Sequence, residues 1–502
     1  MQIKHYLSVT LLFSIFLTPV FAQQPASGQF CGYTGKSAWL KWYQQHRVEL
    51  ALERGVDTNW LYIPVTLHLV GTDQGGGHYK LPQALRNICE MNEHFAEARI
   101  RFYLLPGDPV RYHDNSSWYE HEYFPGGDEM INENYEYDRL NAFVVKNPAG
   151  NCGYWWQDVI VLGTDYGCSD AGNTTWAHEA GHQFSLPHTF DGWEGFEWEY
   201  DKPAPDSING HLVEKANGSN CLTSGDGFCD TRPDYLNYRW PCDANKESIT
   251  PQLDPDSVEF RSDATLYMAY PSDECASRFS PEQIEAMRTN IYNEHPAYLQ
   301  IIEPLENMPD NALVELISPV DTQNVQYDNI TLSWEPLPGA SFYHVEVGLA
   351  PVLAVKYYNE TLYNTTSVTI TSNVPNNRLL KWRIRAYSEW DVCNSTNTQT
   401  GVFRTKNLTA TNDLEEIVVA ELSPNPVAGG LPAVFTLTSD EYMDALLSVS
   451  DAAGRLCLTQ EVRLAPGENR LDIATNGLSA GFYVVTLRNE KGAIVKRLAV
   501  TQ

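Results

Sequence analysis

The stretch "HEAGHQFSLPH", residues 178–188, places three histidines and a glutamate within eleven residues, and it restricts the chain more than any other segment. His178 and His182 are four residues apart. On a helix that spacing puts both imidazoles on one face, a turn apart, where they can share one cation. Glu179 is one step along, off the shared face, close enough to reach a water at the cation without being a ligand. Asn173, Thr174 and Thr175 precede the apolar pair Trp176-Ala177 and are predicted to cap the helix. His188 follows six residues after His182 and offers a third imidazole.

The rest of the chain supplies the setting. At 502 residues it is long enough for about three or four domains. Its hydrophobic fraction of 43% and aromatic fraction of 12% are ample for packed cores, which excludes global disorder. The net charge of −30 argues against nucleic acid or an anionic membrane surface as a partner, because both would be repelled. Residues 1–22 combine a basic start, an apolar run and a small-residue end, and are predicted to be a secretory signal cleaved after Ala22. No cysteine follows that point directly, so a lipid anchor is not expected, and no other run is long enough to cross a bilayer as a helix. Export makes the ten cysteines candidate disulfide partners. Six of them, Cys152, Cys168, Cys221, Cys229, Cys242 and Cys275, cluster in the middle of the chain without a paired C-x-x-C, which favours disulfides over structural zinc.

Residues 58–305 read as a mixed α/β domain, preceded by a short segment at 23–57. "LYIPVTLHLV", "IRFYLL", "NAFVVK" and "WQDVIVLG" read as strands, and "LPQALRNICEMNEHFAEA" as a helix. An irregular stretch rich in Gly, Asp, Asn and Pro follows the histidines to about residue 263. A closing helix begins at Ser280-Pro281, an N-cap and a first-turn proline. After a linker the periodicity changes to short alternating strands. Residues 312–406, with Trp334, Tyr343, Trp382 and Tyr387 at core positions, resemble a fibronectin type III module. Residues 412–502 form a further all-β unit. Its Pro424-Asn425-Pro426, the patch 451–454, Gly481-Phe482-Tyr483 and the ending 496–500 resemble the C-terminal sorting domain of type IX secretion substrates. That resemblance implies a removable address read by the type IX machinery, and a protein released or held at the cell surface after crossing both bacterial membranes.

Together with His178, Glu179, His182 and His188, three further motifs point to one family. "HTF" begins at His188, "GDGFCDT" spans 225–231, and "LYMAYPSDEC" spans 266–275. Across residues 61–302 the chain resembles the metzincin metallopeptidases, and within them the pappalysin family. The resemblance implies an α/β (α+β) metzincin-type catalytic domain ahead of the two β-sandwich domains. It departs from the family at Ser185, which stands where the family has a glycine that ends the helix in a sharp turn. A side chain there costs about 1–2 kcal/mol if the turn demands a left-handed residue, too little to lose the third ligand.

What the resemblance implies for chemistry is specific. Three neutral histidines and one open position suit catalytic zinc. Glu179 would serve as general base and Tyr270 would donate to a developing oxyanion, with Met268 as the apolar floor of a Met-turn. Asp226, Asp230 and Thr231 lie in the segment where the family holds calcium, the alternative being a tight Asp-Gly turn. Cys242 and Cys275 match positions that pair with other cysteines around the cleft. Cys221 with Cys229, and Cys152 with Cys168, are further candidate pairs. Cys31-Gly32 resembles a latency device in which a thiolate takes zinc's open position, its alternative being a disulfide to Cys89 or a free thiol. Asp273 and Glu274 are candidates to line a pocket for the residue after the cut, which would favour Lys or Arg, their alternative being an ordinary solvated acidic pair. The acidic aromatic segment 191–207 reads as an insertion with no assigned mechanism. The expected function is therefore a secreted zinc endopeptidase acting on proteins or peptides. The alternative is a catalytically weak surface adhesin that uses the same fold and the fibronectin-like module, but the intact His-Glu set favours the enzyme over it. A non-haem iron enzyme would need two histidines and a carboxylate on the ligand face.

Overall fold

The structure, a computed structural model, describes residues 35–54, 58–107, 109–301, 305–406, 414, 417–489 and 492–501. The expected signal peptide and Cys31 lie outside the described residues. Two compact units are present. The first extends to Asp310 and includes Pro338–Phe342 and Ala386–Ser395; the second holds Asn311–Leu337, Tyr343–Arg385 and the chain from Thr396 onward.

The first unit is built on a six-stranded sheet. Its central strand β1 (Leu61–Gly71) is buried along its whole length, as expected of a strand covered on both faces. It pairs in parallel with β2 (Ile100–Leu104), β3 (Val110–Asp114) and β4 (Leu140–Val145). At the edge, "WQDVIVLG" proves to hold part of a hairpin. Strand β5 (Gly153–Trp156) runs antiparallel to β6 (Val159–Gly163), and Gln157 and Asp158 turn between them with φ of 48° and 60°. Two adjacent left-handed residues suit the tight turn of a two-residue hairpin. The apolar run that follows hides that turn from a periodicity reading.

Helix α1 (Ala38–Arg54), not expected from the sequence, belongs to this unit; Leu40 and Tyr43 are buried. Helix α2 (Leu81–His94) has Leu85, Ile88 and Met91 buried along its inner face. The histidine helix α3 (Thr175–Gln183) is buried from Trp176 to Gln183. Helix α4 (Pro281–Glu294) starts as predicted: the Ser280 hydroxyl accepts from the Gln283 amide, and the Gln283 side chain returns the bond to the Ser280 amide.

In the second unit two β-sandwich-like pairs of sheets follow one another. Over residues 316–406 a three-stranded sheet accompanies a five-stranded one, and over residues 417–501 the same numbers recur. Trp334, Tyr343 and Trp382 are buried as expected, as is Tyr387, which falls in the first unit. In the last ninety residues Phe435, Leu447, Val485 and Leu498 form the centre of the core. Asn425 ties its loop to the final strand, donating to the Arg497 carbonyl at 2.7 Å and accepting from the Ala499 amide at 2.9 Å. Among the described residues no helix is long and apolar enough to cross a membrane.

Candidate metal centre and cleft

Helix α3 ends in a left-handed residue. Ser185 has φ 67°, its amide donates to the His182 carbonyl at 2.9 Å, and the Leu186 amide donates to the Gly181 carbonyl at 3.0 Å. These two bonds form the Schellman arrangement in which glycine is usual. The serine hydroxyl is itself held, accepting from Asn290 Nδ2 at 3.1 Å. The turn brings His188 back to the helix, so that His182 Nε2 stands 3.1 Å from His178 Nε2 and 3.2 Å from His188 Nε2.

The tautomers follow from the outer partners. His178 Nδ1 donates to the Tyr267 carbonyl and His182 Nδ1 to the Leu186 carbonyl, both at 2.7 Å, while His188 Nδ1 donates to Glu194 Oε1 at 3.0 Å. All three Nε2 atoms are therefore unprotonated acceptors that face one another. Burial is the first cause holding the imidazoles neutral: His178 and His188 are lowered to about 3, and His182 lies well below the usual histidine value. Two nitrogens bonded at about 2.0–2.1 Å to a tetrahedral cation would stand about 3.3 Å apart. The donor set fits such an ion in number, spacing, protonation and orientation.

Below the histidines, Met268 is fully buried, and a Cβ on Gly181 would come within 2.4 Å of its Sδ. A glycine at 181 is what lets the helix approach this floor. Tyr270 Oη lies 3.3 Å from His188 Nε2. Glu179 is buried beside strand β5, where a Cβ on Gly153 would lie 3.0 Å from Glu179 Oε1. His178, Glu179 and Tyr270 together line a cleft of about 260 Å³, whose rim includes Asn151, Cys152 and Gly153 at the antiparallel edge.

Asp273 and Glu274 do not form the expected acidic pair. Glu274 is exposed and not among the cleft-lining residues. Asp273 lines the cleft, but its Oδ1 accepts from the Thr174 amide at 3.0 Å and the Thr174 hydroxyl at 2.7 Å, and its Oδ2 pairs with Arg239 at 2.5 Å. Despite partial burial, these partners hold its carboxyl below the usual range.

The calcium candidates also separate. Asp230 accepts from the Ser280 hydroxyl at 2.7 Å and the Glu282 amide at 2.8 Å, so it caps α4. Asp226 is fully buried and its Oδ1 accepts from the Thr231 hydroxyl at 3.0 Å. Its companion is Glu214, which sequence reasoning missed because it is twelve residues away in an irregular stretch. Asp226 Oδ2 and Glu214 Oε1 are buried without a hydrogen-bond partner among the described residues, and burial raises both carboxyls. Glu194 was missed too; it comes from the unassigned insertion, anchored by the Gly192 amide at 2.7 Å.

Among the described residues four disulfides are present. Cys152–Cys168, Cys221–Cys229 and Cys242–Cys275 join the middle cluster. The fourth, Cys89–Cys393, replaces the alternative pairing of Cys89 with Cys31: Cys89 on α2 has Cys393 at a Cα separation of 4.7 Å. Cys457 is free and exposed.

Comparison with known proteins identifies one part of the chain as a class. Residues 421–501 match the family described as secretion system C-terminal sorting domain, so the chain carries an export address and is a secreted or cell-surface protein. No curated protein matches it. Among solved structures it is similar to a mutant of Tannerella forsythia promirolysin (20% identity over 53% of this chain and 95% of that one, TM-score 0.35). It is also similar to the FN1-FN3 domains of chicken CNTN1 (14% identity, 39% and 70%, TM-score 0.21) and to the BSP domain of a biofilm associated protein (16% identity, 38% and 29%, TM-score 0.15).

Proposed function

We propose that this chain is an exported zinc-dependent endopeptidase of the metzincin type, related to the pappalysins and carried out by the type IX route. The observation that carries the reading is the convergence of three deprotonated Nε2 atoms beside a buried glutamate in an open cleft. His178, His182 and His188 would hold the ion. When bound, zinc supplies Lewis acidity to a carbonyl and lowers the pKa of a water. Glu179 takes the proton of the attacking water and delivers it to the leaving amine. Tyr270, with its hydroxyl at the mouth of the histidine cluster, donates to the oxyanion as charge develops. Strand β5 is the sheet edge beside the cleft, where an extended peptide can add main-chain hydrogen bonds.

A second cation has a structural role in this reading. Asp226, Thr231 and Glu214 supply hard oxygen donors of the kind calcium takes, and the unpartnered buried carboxylate oxygens support it. The test of function is cleavage of denatured casein by the purified protein after removal of its N-terminal segment, with and without a zinc chelator. Glu179→Ala should keep zinc and lose cleavage. Chelator-insensitive cleavage, or full activity in Glu179→Ala, would overturn the reading.

A further inference from the structure

The expected specificity acid Asp273 meets a cation of the protein itself, Arg239. Asp273 comes from the segment after Met268 and Arg239 from the irregular chain beside it. The two backbones are joined: Trp240 donates to the Tyr270 carbonyl at 3.0 Å, Ser272 donates to the Trp240 carbonyl at 2.8 Å, and Cys242–Cys275 clamps the same segments a few residues on. Arg239 and Asp273 are thus fixed against each other at 2.5 Å on the lining of the cleft that holds His178, Glu179 and Tyr270. A carboxylate facing a substrate would attract a lysine or arginine side chain. Here a guanidinium of the protein already occupies that carboxylate, and it is partly exposed to the cleft, its side chain 38% accessible.

We propose that Arg239 is a specificity-determining residue: it fills the cation-binding position on Asp273, so the cleft rejects basic side chains beside the cut and accepts neutral or acidic ones. This rests on the peptidase reading above. It also reverses the basic preference expected from Asp273 and Glu274 alone. Removing the guanidinium turns the wall anionic, and a substrate lysine or arginine takes its place.

The experiment compares the wild type with Arg239→Ala, Arg239→Gln and the double variant Arg239→Ala/Asp273→Asn, using a peptide library and, separately, calorimetric binding of argininamide. The wild-type profile should be depleted in Lys and Arg beside the cut. Arg239→Ala should enrich them by about tenfold or more, the scale on which one pocket contact discriminates substrates. Arg239→Gln, which keeps the bulk of the side chain, should do the same if Arg239→Ala folds poorly, and the double variant should lose the enrichment. Argininamide should bind the single variants and not the wild type. A basic preference in the wild type, or an unchanged profile in folded single variants, overturns the proposal. If no variant cleaves any peptide, the peptidase reading fails, and argininamide binding alone decides: binding to the single variants only supports Arg239 as the occupant, and its absence refutes it.

Discussion

Ser185 Oγ accepts a hydrogen bond from Asn290 Nδ2 across the turn that ends the histidine helix, joining α3 to the closing helix α4. The serine that departs from the glycine pattern is therefore both strained and anchored. Ser185→Gly relieves a left-handed side chain, worth about 1 kcal/mol, and loses a bond of similar worth. Its stability should stay within about 1 kcal/mol of wild type. Ser185→Ala keeps the strain and leaves Asn290 without that acceptor, costing about 1–2 kcal/mol. Thermal melts should rank glycine above alanine; the reverse order would show that the hydroxyl carries no weight.

Gly181 has no room for a side chain. A methyl 2.4 Å from Met268 Sδ must push that side chain down or the helix up. Gly181→Ala should cost about 1–3 kcal/mol, as overpacking does, and lower the zinc content of the purified protein. Wild-type zinc stoichiometry and melting would refute the role of this contact.

Much of this site is legible in the sequence because it is local. The i, i+4 histidines, the capping box at Ser280-Gln283 and the left-handed need at 185 each follow from residues a turn apart. What is not legible depends on chain returning from a distance. Glu214 meets Asp226 and Cys393 meets Cys89 through loops that carry no periodicity. Asp230 and Asp273 stand as ligand and pocket acids by the family resemblance, but helix starts in space claim both. Helix α1 has a weak apolar stripe, so its burial through Leu40 and Tyr43 shows only in the fold.

Glu194 should govern how firmly zinc is held. Its carboxylate orients His188 through Nδ1, and removing such an outer partner typically weakens metal binding by about 10–100-fold. Glu194→Ala should release zinc to a competing chelator that much more readily, with Glu194→Gln in between. Equal affinity in all three proteins would count against the contact.

The histidine cluster also sets an acid limit. Because the folded imidazoles titrate far below the unfolded value of 6.5, the unfolded chain binds protons first as the pH falls. This contribution is complete above about 6.5 and is lost progressively as the pH falls toward about 3. Zinc release and the melting temperature of the metal-free protein should both follow that direction. A melting temperature flat across this window would contradict it.

Calcium should raise the melting temperature in a concentration-dependent way, by mass action on the folded state. Glu214→Gln should abolish most of that shift, whereas Asp230→Asn should leave the calcium response intact and lower stability through the α4 cap. Equal loss of the response in both would return Asp230 to the site.

The Cys89–Cys393 bond spans 304 residues of sequence. A single nick anywhere between those two positions leaves one covalent molecule, which separates into pieces only when reduced. One cut sheds material only from outside that loop: the head before residue 89 or the tail beyond residue 393, which includes the sorting domain at 421–501. A sample cut once between those positions should therefore run as one band on a non-reducing gel and as two on a reducing gel.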